Sequence, residues 1–239
     1  MLEANWSKAP SYSYIERDFR SKHESEALTR SYEVMALDGS PYRRLVAMDD
    51  QRLGLEAQAI EDRKMQKEME RRQNESERER NKRIAKYVKD RSRDMDMIRE
   101  MANAFQFHLV GEEVIDGHYC WVLDVSPKPG YDPKNREGRV LTGMTGRLWI
   151  DKNENQWVKA RAEVVKPVSF YGFVAKVEPG TNFLLEQQPV AKNLWLPRHF
   201  SVHVSAAAFG FLNEDSQEDE TYHDYKPVGP ASPTLQASK

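Results

Sequence analysis

Along the chain the spacing of apolar side chains changes twice, from a period of two to a helical period and back. Residues 12–20 alternate as a strand, 31–35 as a second and 43–48 as a third. Asp38-Gly39-Ser40-Pro41 lies between the last two, and Asp-Gly flanked by β-branched and aromatic runs predicts a hairpin.

From residue 55 to about 104 the character changes. The stretch has no Gly or Pro and one aromatic, Tyr87, and residues 56–100 carry 14 Lys/Arg against 12 Asp/Glu. Gln73-Asn74-Glu75-Ser76 is the one interruption, and Ser76 followed by Glu79 fits a capping box. Two helices are therefore expected, over about 56–73 and 77–102, the second about 40 Å long at about 1.5 Å per residue. Their apolar positions are sparse: Ile60, Met65 and Met69, then Ile84, Val88, Met95, Ile98 and Met101. That is a thin stripe on a solvated rod. It reads as a surface hairpin laced by i,i+4 charge pairs, each worth about 0.2–0.5 kcal/mol, or else as a lid or a partner-docking element.

After Phe105 the two-residue period returns. Residues 107–115 lead through Asp116-Gly117 into 118–125, a hairpin with a type I′-compatible turn. Tyr119, Trp121, Leu123 and Val125 share one face of the second strand; His118, Cys120, Val122 and Asp124 share the other. A Pro/Gly/Lys loop is expected over 127–138. Residues 147–151 and 157–164 form another hairpin, in which Val158, Ala160, Ala162 and Val164 point inward and Lys159, Arg161 and Glu163 outward. Further strands are expected at 183–188, 194–205 and 221–225, followed by a Pro/Ser/Ala-rich disordered tail at 227–239.

Composition sets limits. The 239 residues are 31% charged and 39% hydrophobic with a formal net charge of −2, enough for a core and no global attraction to nucleic acid. Basic and acidic residues interleave in the helical stretch without an aromatic platform, which also argues against nucleic acid. No apolar run reaches the ~20 residues of a spanning helix, so the chain is at most peripheral to a membrane. The N-terminus, Met1-Leu2-Glu3-Ala4-Asn5-Trp6, lacks a secretory signal and leads almost at once into the first strand, which suits a mature or truncated form. The single cysteine, Cys120, permits no intrachain disulfide and reads as a structural strand residue.

Candidate chemistry is thin. Asp151-Lys152-Asn153-Glu154-Asn155 imitates the start of a calcium loop, but Gln156 and Ala162 stand where that loop needs Gly and Glu. His199 and His203 share a strand face about 13 Å apart, too far for one metal unless the strand bends. His108 and His118 are placed across a hairpin with no acidic partner or nucleophile. No nucleophile elbow, phosphate loop, zinc-protease helix or dinucleotide fingerprint is present. No cofactor or metal is implied, and an enzyme is the third-ranked reading.

The ordered segments resemble a known family. Tyr12-Ser13-Tyr14-Ile15-Glu16-Arg17, Tyr32-Glu33-Val34 and Pro41-Tyr42-Arg43-Arg44-Leu45-Val46-Ala47 open the pattern. The charged helices, residues 107–110, Asp116-Gly117, Gly146-Arg147-Leu148-Trp149-Ile150-Asp151, Gln156-Trp157-Val158-Lys159 and Trp195-Leu196-Pro197-Arg198-His199 complete it. Over roughly residues 10–226 this resembles bacterial outer-membrane lipoprotein-sorting proteins, relatives of the LolA/LolB carriers and of RseB/MucB-like envelope sensors. The resemblance implies an unclosed β-barrel with helices over its open side, an apolar cavity for acyl chains and a periplasmic home reached by a cleaved signal. The absent signal and the long charged hairpin depart from that pattern, and no catalytic or acyl-holding residue can be carried over by motif.

The expectation is thus an α+β, mainly β fold: a curved antiparallel sheet forming one domain over 1–226, with a charged helical hairpin inserted at about 55–104. Its concave face, small at Ala160, Ala162 and Ala206 and bulky at Trp121, Phe183 and Phe200, is the candidate site. The candidate ligand-binding residues are Leu109, Trp121, Leu123, Val158, Ala160, Ala162, Val164, Phe183, Phe200 and Val202. The expected partner is a lipid or lipidated protein, with an envelope protein docking on the helical hairpin. The rival is an interaction module in which that face is filled by the chain's own side chains and the hairpin docks a partner.

Overall fold

The computed structural model describes residues 2–22, 26–133, 136–170, 175–208 and 212–228. A short helix, α1 (Leu2–Lys8), and a 3-10 turn (Ala9–Ser11) precede β1 (Tyr12–Lys22), β2 (Glu26–Leu37), β3 (Ser40–Met48) and β4 (Gln51–Arg52). The helices α2 (Leu55–Gln73) and α3 (Glu77–Ala104) follow, then β5 (Phe105–Ile115), β6 (His118–Pro127), α4 (Arg136–Leu141), β7 (Met144–Asp151) and β8 (Trp157–Val164). Short strands β9 (Val168–Phe170) and β10 (Ala175–Val177) lead to β11 (Asn182–Ala191), β12 (Leu194–Ala208) and β13 (Leu212–Pro227).

The strands form one antiparallel sheet in the order β4-β3-β2-β1-β13-β12-β11-β8-β7-β6-β5, with β10 and β9 branching from β12. Long β1 and β13 pair at its middle, from Tyr12 opposite Pro227 to Lys22 opposite Ser216. The two ends of the row, β4 and β5, do not pair, so the curved sheet is an unclosed barrel. Those same two strands flank the helices in sequence. The chain therefore leaves the sheet at one edge and must rejoin it at the other, and α3, 28 residues and about 42 Å long, makes that crossing.

Both Asp-Gly pairs turn their hairpins as the sequence predicts. Asp38 and Gly39 lie at φ 43° and 86°, Asp116 and Gly117 at 50° and 83°, the double positive φ that a type I′ turn requires. The capping box at Ser76 is present, with the Ser76 hydroxyl accepting from the Glu79 amide and the Glu79 carboxylate accepting from the Ser76 amide. The helical turn is fastened to the β2–β3 turn. Arg72, buried at the end of α2, donates to the carbonyls of Leu37, Ser40 and Pro41 and to Oγ of Ser40. Arg83 adds bonds to Glu75, to the Asp38 carbonyl and to Ser40 Oγ at 2.7–3.0 Å.

Several features correct the sequence reading. The N-terminal lead-in is helical, α4 occupies the end of the expected loop, and β4, β9 and β10 are added. His108 stands opposite Asp124 and His118 opposite Ile115, so these histidines are at different places on the hairpin. The tail expected at 227–239 lies outside the described residues from 229 onward.

Candidate functional site

The register of β6, β7 and β8 places three rows of side chains on the face that α3 crosses. Trp121, Ile150 and Trp157 form the first; Leu123, Leu148 and Ala160 the second; Val125, Gly146 and Ala162 the third. Gly146 is there because nothing larger fits: a Cβ would stand 2.2 Å from the Arg161 carbonyl oxygen. The small residues of the second and third rows leave the sheet floor low. Met95, Ile98, Met101 and Ala102 of α3, with Leu2 and Ala4 of α1, form the roof. Between floor and roof lies a cavity of about 1520 Å³, lined mainly by apolar atoms. That exceeds the ~300–1,000 Å³ of ordinary small-molecule pockets.

Polar groups stand at the rim. Arg99 of α3 pairs with Glu3 of α1 through two bonds of 2.8 and 3.2 Å. Outside the lining, Arg91 fastens α3 to α1 by donating to the Trp6 carbonyl, with its guanidinium 4.5 Å from the centre of the Trp6 ring. The Arg99 pairing holds the exposed Glu3 carboxyl below its ordinary range. The far end of the cavity is closed by packing: Ala104, Leu141, Met144 and Val164 form a buried cluster, joined by Met97, Phe105 and Phe183.

Of the ten residues expected on this face, Trp121, Leu123, Ala160 and Ala162 line the cavity, while Val164 and Phe183 belong to the cluster that closes it. Val158 lies on the opposite face, packed with Cys120, Val122, Trp149 and Trp195. The reason is a bulge. Trp149 pairs with Lys159 and Ile150 with Trp157, so Val158 is an extra residue and the two-residue alternation restarts behind it. Trp157 consequently takes the cavity-facing place that strict alternation would have assigned to Val158. Leu109 shares the row of Leu123, but on β5, where it is 56% exposed beyond the cavity.

Phe200 and Val202 continue the same rows, opposite Leu185 and Phe183, and lie half-buried outside the cavity. One strand further the face turns polar: Phe200 stands opposite Glu220 and Val202 opposite Glu218, and β1 adds Glu16, Asp18 and Arg20. The face under α3 is thus divided into an apolar half and a charged, tyrosine-rich half. In the latter, burial raises the carboxyls of Glu16 and Glu220 above their ordinary values and pushes the Tyr14 hydroxyl up to about 12. Carboxylate oxygens of Glu16, Asp18 and Glu220 come within 4.8 Å of one another. Arg43 donates to Glu16, Arg20 to Asp18 and the Tyr222 hydroxyl to Glu220, so the group is a paired network and offers no open cation site. His199 bonds Asp219 at 2.8 Å. Ala206 is described for its backbone alone.

Sequence reasoning missed much of the lining. Met95, Ile98 and Met101 had been visible as a stripe without a destination. Trp157 was hidden by the bulge, and α1 and Leu141 gave no signal beyond isolated apolar residues.

No family model matches the chain, and no curated protein does. Solved structures do. A DUF1329 family protein from Desulfovibrio piger covers 97% of this chain with 95% of its own, at 12% identity and a TM-score of 0.35. An outer membrane lipoprotein-sorting protein domain from Vibrio parahaemolyticus covers 96% with 92% of its own, at 9% identity and a TM-score of 0.38. A LolA superfamily protein from Nitrosomonas europaea covers 94% with 92% of its own, at 12% identity and a TM-score of 0.35. The names of the last two contain the lipoprotein-sorting and LolA families that the ordered sequence segments resemble. At such identities and scores the likeness is silent on ligand and partner, which must come from the cavity itself.

Proposed function

We propose that the chain is a non-enzymatic binding protein of the periplasm that holds the acyl portion of a lipid or lipidated protein between α3, α1 and strands β5–β8. One observation carries this reading. Ala160 and Ala162 lie beneath Met95, Ile98 and Met101 with about 1520 Å³ of apolar space left between them. A sheet that needed only a core would fill that space with larger side chains, because close packing is what stabilises interiors. Apolar concavities are the usual place for apolar ligands. Each buried methylene contributes about 0.8 kcal/mol, so a dozen would supply on the order of 10 kcal/mol before the costs of association. The sheet with its inserted helices acts here as one unit.

The test is native mass spectrometry of the gently purified protein, followed by organic extraction. Acyl lipid at near-stoichiometric occupancy, released on denaturation, is the expected result. A clean apo mass from protein that also fails to take up added fatty acid would overturn the proposal.

A second reading draws on α2, which contributes nothing to the cavity and leaves Leu55 and Ile60 exposed. A protein partner docked there would leave acyl binding untouched. Removing 56–100 cannot test this, because α3 roofs the cavity. The double variant Leu55→Asp, Ile60→Asp can, with loss of partner recovery at unchanged acyl-probe binding as the signature.

A further inference from the structure

The two edges of the sheet are treated differently. At one edge β3 is followed by β4, and α2 packs alongside: Gln58 donates to the Leu53 carbonyl and Arg44 pairs with Asp62 at 2.7 Å. At the other, β5 pairs with β6 alone among the described residues, and nearly all its side chains are exposed. An uncovered strand of eleven residues presents unpaired backbone amides and carbonyls, an arrangement proteins usually blunt.

The same strand forms the lip of the cavity. Phe105 and Phe107 line it, and Phe107 stands opposite Val125 while Leu109 stands opposite Leu123, in the rows that make the floor. Phe107 is nevertheless 45% exposed, and beyond it Val114 and Tyr119, paired with each other, are 55% and 65% exposed. A bulge at Val110 divides the strand, so 105–109 is one regular run beside the cavity. Past the bulge the edge turns acidic at Glu112, which Lys152 reaches, and Glu113, which accepts from the Trp149 indole.

A free fatty acid would engage the apolar lip and leave the backbone edge unused. A plain peptide would use the edge and leave the cavity empty. We infer that the run 105–109 of β5 receives, as an added strand, the extended polypeptide next to the acylated residue of a lipidated protein whose acyl chain enters past Phe107. This rests on the proposed acyl-binding function and specifies its cargo. Backbone hydrogen bonds along the edge hold the segment, and alternate side chains select it. Apolar residues of the cargo face Phe107 and Leu109, and a Lys or Arg further along meets the exposed Glu112 carboxylate, which lies on the same face.

The test compares four probes on the intact protein: palmitic acid, an N-palmitoylated peptide with alternating apolar residues and a distal lysine, the same lipopeptide N-methylated at alternate amides, and the peptide without its acyl chain. The lipopeptide is expected to bind about tenfold or more tighter than palmitic acid, the worth of one or two net backbone hydrogen bonds. N-methylation should remove that gain, and hydrogen exchange should slow at 105–109 with the unmethylated lipopeptide only. Equal affinity of the two lipopeptides, or no protection at 105–109, overturns the edge assignment while leaving the cavity reading standing. Equal binding of the lipopeptide and the unacylated peptide, with palmitic acid and the N-methylated lipopeptide unbound, overturns the cavity reading and keeps the edge. Failure of all four overturns both.

Discussion

Arg43 and Arg44 are neighbours on β3 and serve opposite faces of the sheet. Arg43 donates to Glu16 in the buried network on the α3 side, whereas Arg44 reaches Asp62 of α2 at 2.7 Å. Successive strand residues point to opposite faces, so the two helices of the charged hairpin flank the sheet edge on its two sides. Of these two helices, α3 alone lines the cavity. The hairpin is therefore neither a free appendage nor a two-helix lid, and its two halves have separable roles.

The fastening of that hairpin is concentrated in Arg72. Arg72→Met would leave the carbonyls of Leu37, Ser40 and Pro41 without their donor in a buried site. A loss of about 3 kcal/mol in urea unfolding is expected. Lys86→Ala, which removes an exposed i,i+4 pair with Asp90, should leave the midpoint unchanged.

Cavity volume, not sheet stability, is expected to govern acyl binding. Ala160→Trp places a large side chain in empty space opposite Leu148 and Leu185. Titration with a fluorescent fatty acid should show at least about a tenfold loss of affinity. The unfolding free energy should stay within about 1 kcal/mol, because no packed neighbour is displaced. Unchanged affinity would show that the probe sits elsewhere.

The charged half of the face gives stability an alkaline-side penalty. Burial, opposed by Arg43, raises the Glu16 carboxyl. A carboxyl whose folded value exceeds its unfolded value favours the native state at low pH. That contribution is lost as pH climbs from about 4.5 through the raised value. Glu68 has the opposite sign: Arg71 and Arg72 hold it at about 2, so its contribution is present above about 4.5 and lost as pH falls toward 2. Urea unfolding of Glu16→Gln should therefore show the variant gaining on the parent as pH rises from about 4 to 7. A pH-independent difference would mean that Arg43 cancels the burial cost.

Cys120 should be inert in the folded protein. Its side chain is buried, and burial, with the nearby Asp151 and Glu113 carboxylates, pushes the thiol up to about 11. Iodoacetamide at pH 8 is expected to leave the native thiol unmodified for as long as it takes to alkylate the urea-unfolded chain completely, read by intact mass. Comparable labelling of both would reveal ready opening of β6.

The sequence alone determined what depends on near neighbours. Both Asp-Gly hairpins, the Ser76 capping box, the two charged helices and the strand alternation on β6 follow from local conformational preference, and all are present as read. The mainly β, curved-sheet architecture was legible from the run of these pieces, and its unclosed form was implied by the family resemblance. Tertiary structure alone decided where the pieces meet. The Val158 bulge, which moves Val158 out of the cavity and Trp157 into it, depends on pairing with β7. The charged rows of β1 and β13, which end the apolar face beside Phe200 and Val202, become visible only when strands distant in sequence lie side by side. The stripe Met95, Ile98 and Met101 is too thin to announce a core. It becomes the roof of a cavity because α3 must cross from one edge of an open sheet to the other, and that requirement belongs to the closed path of the chain rather than to any segment of it.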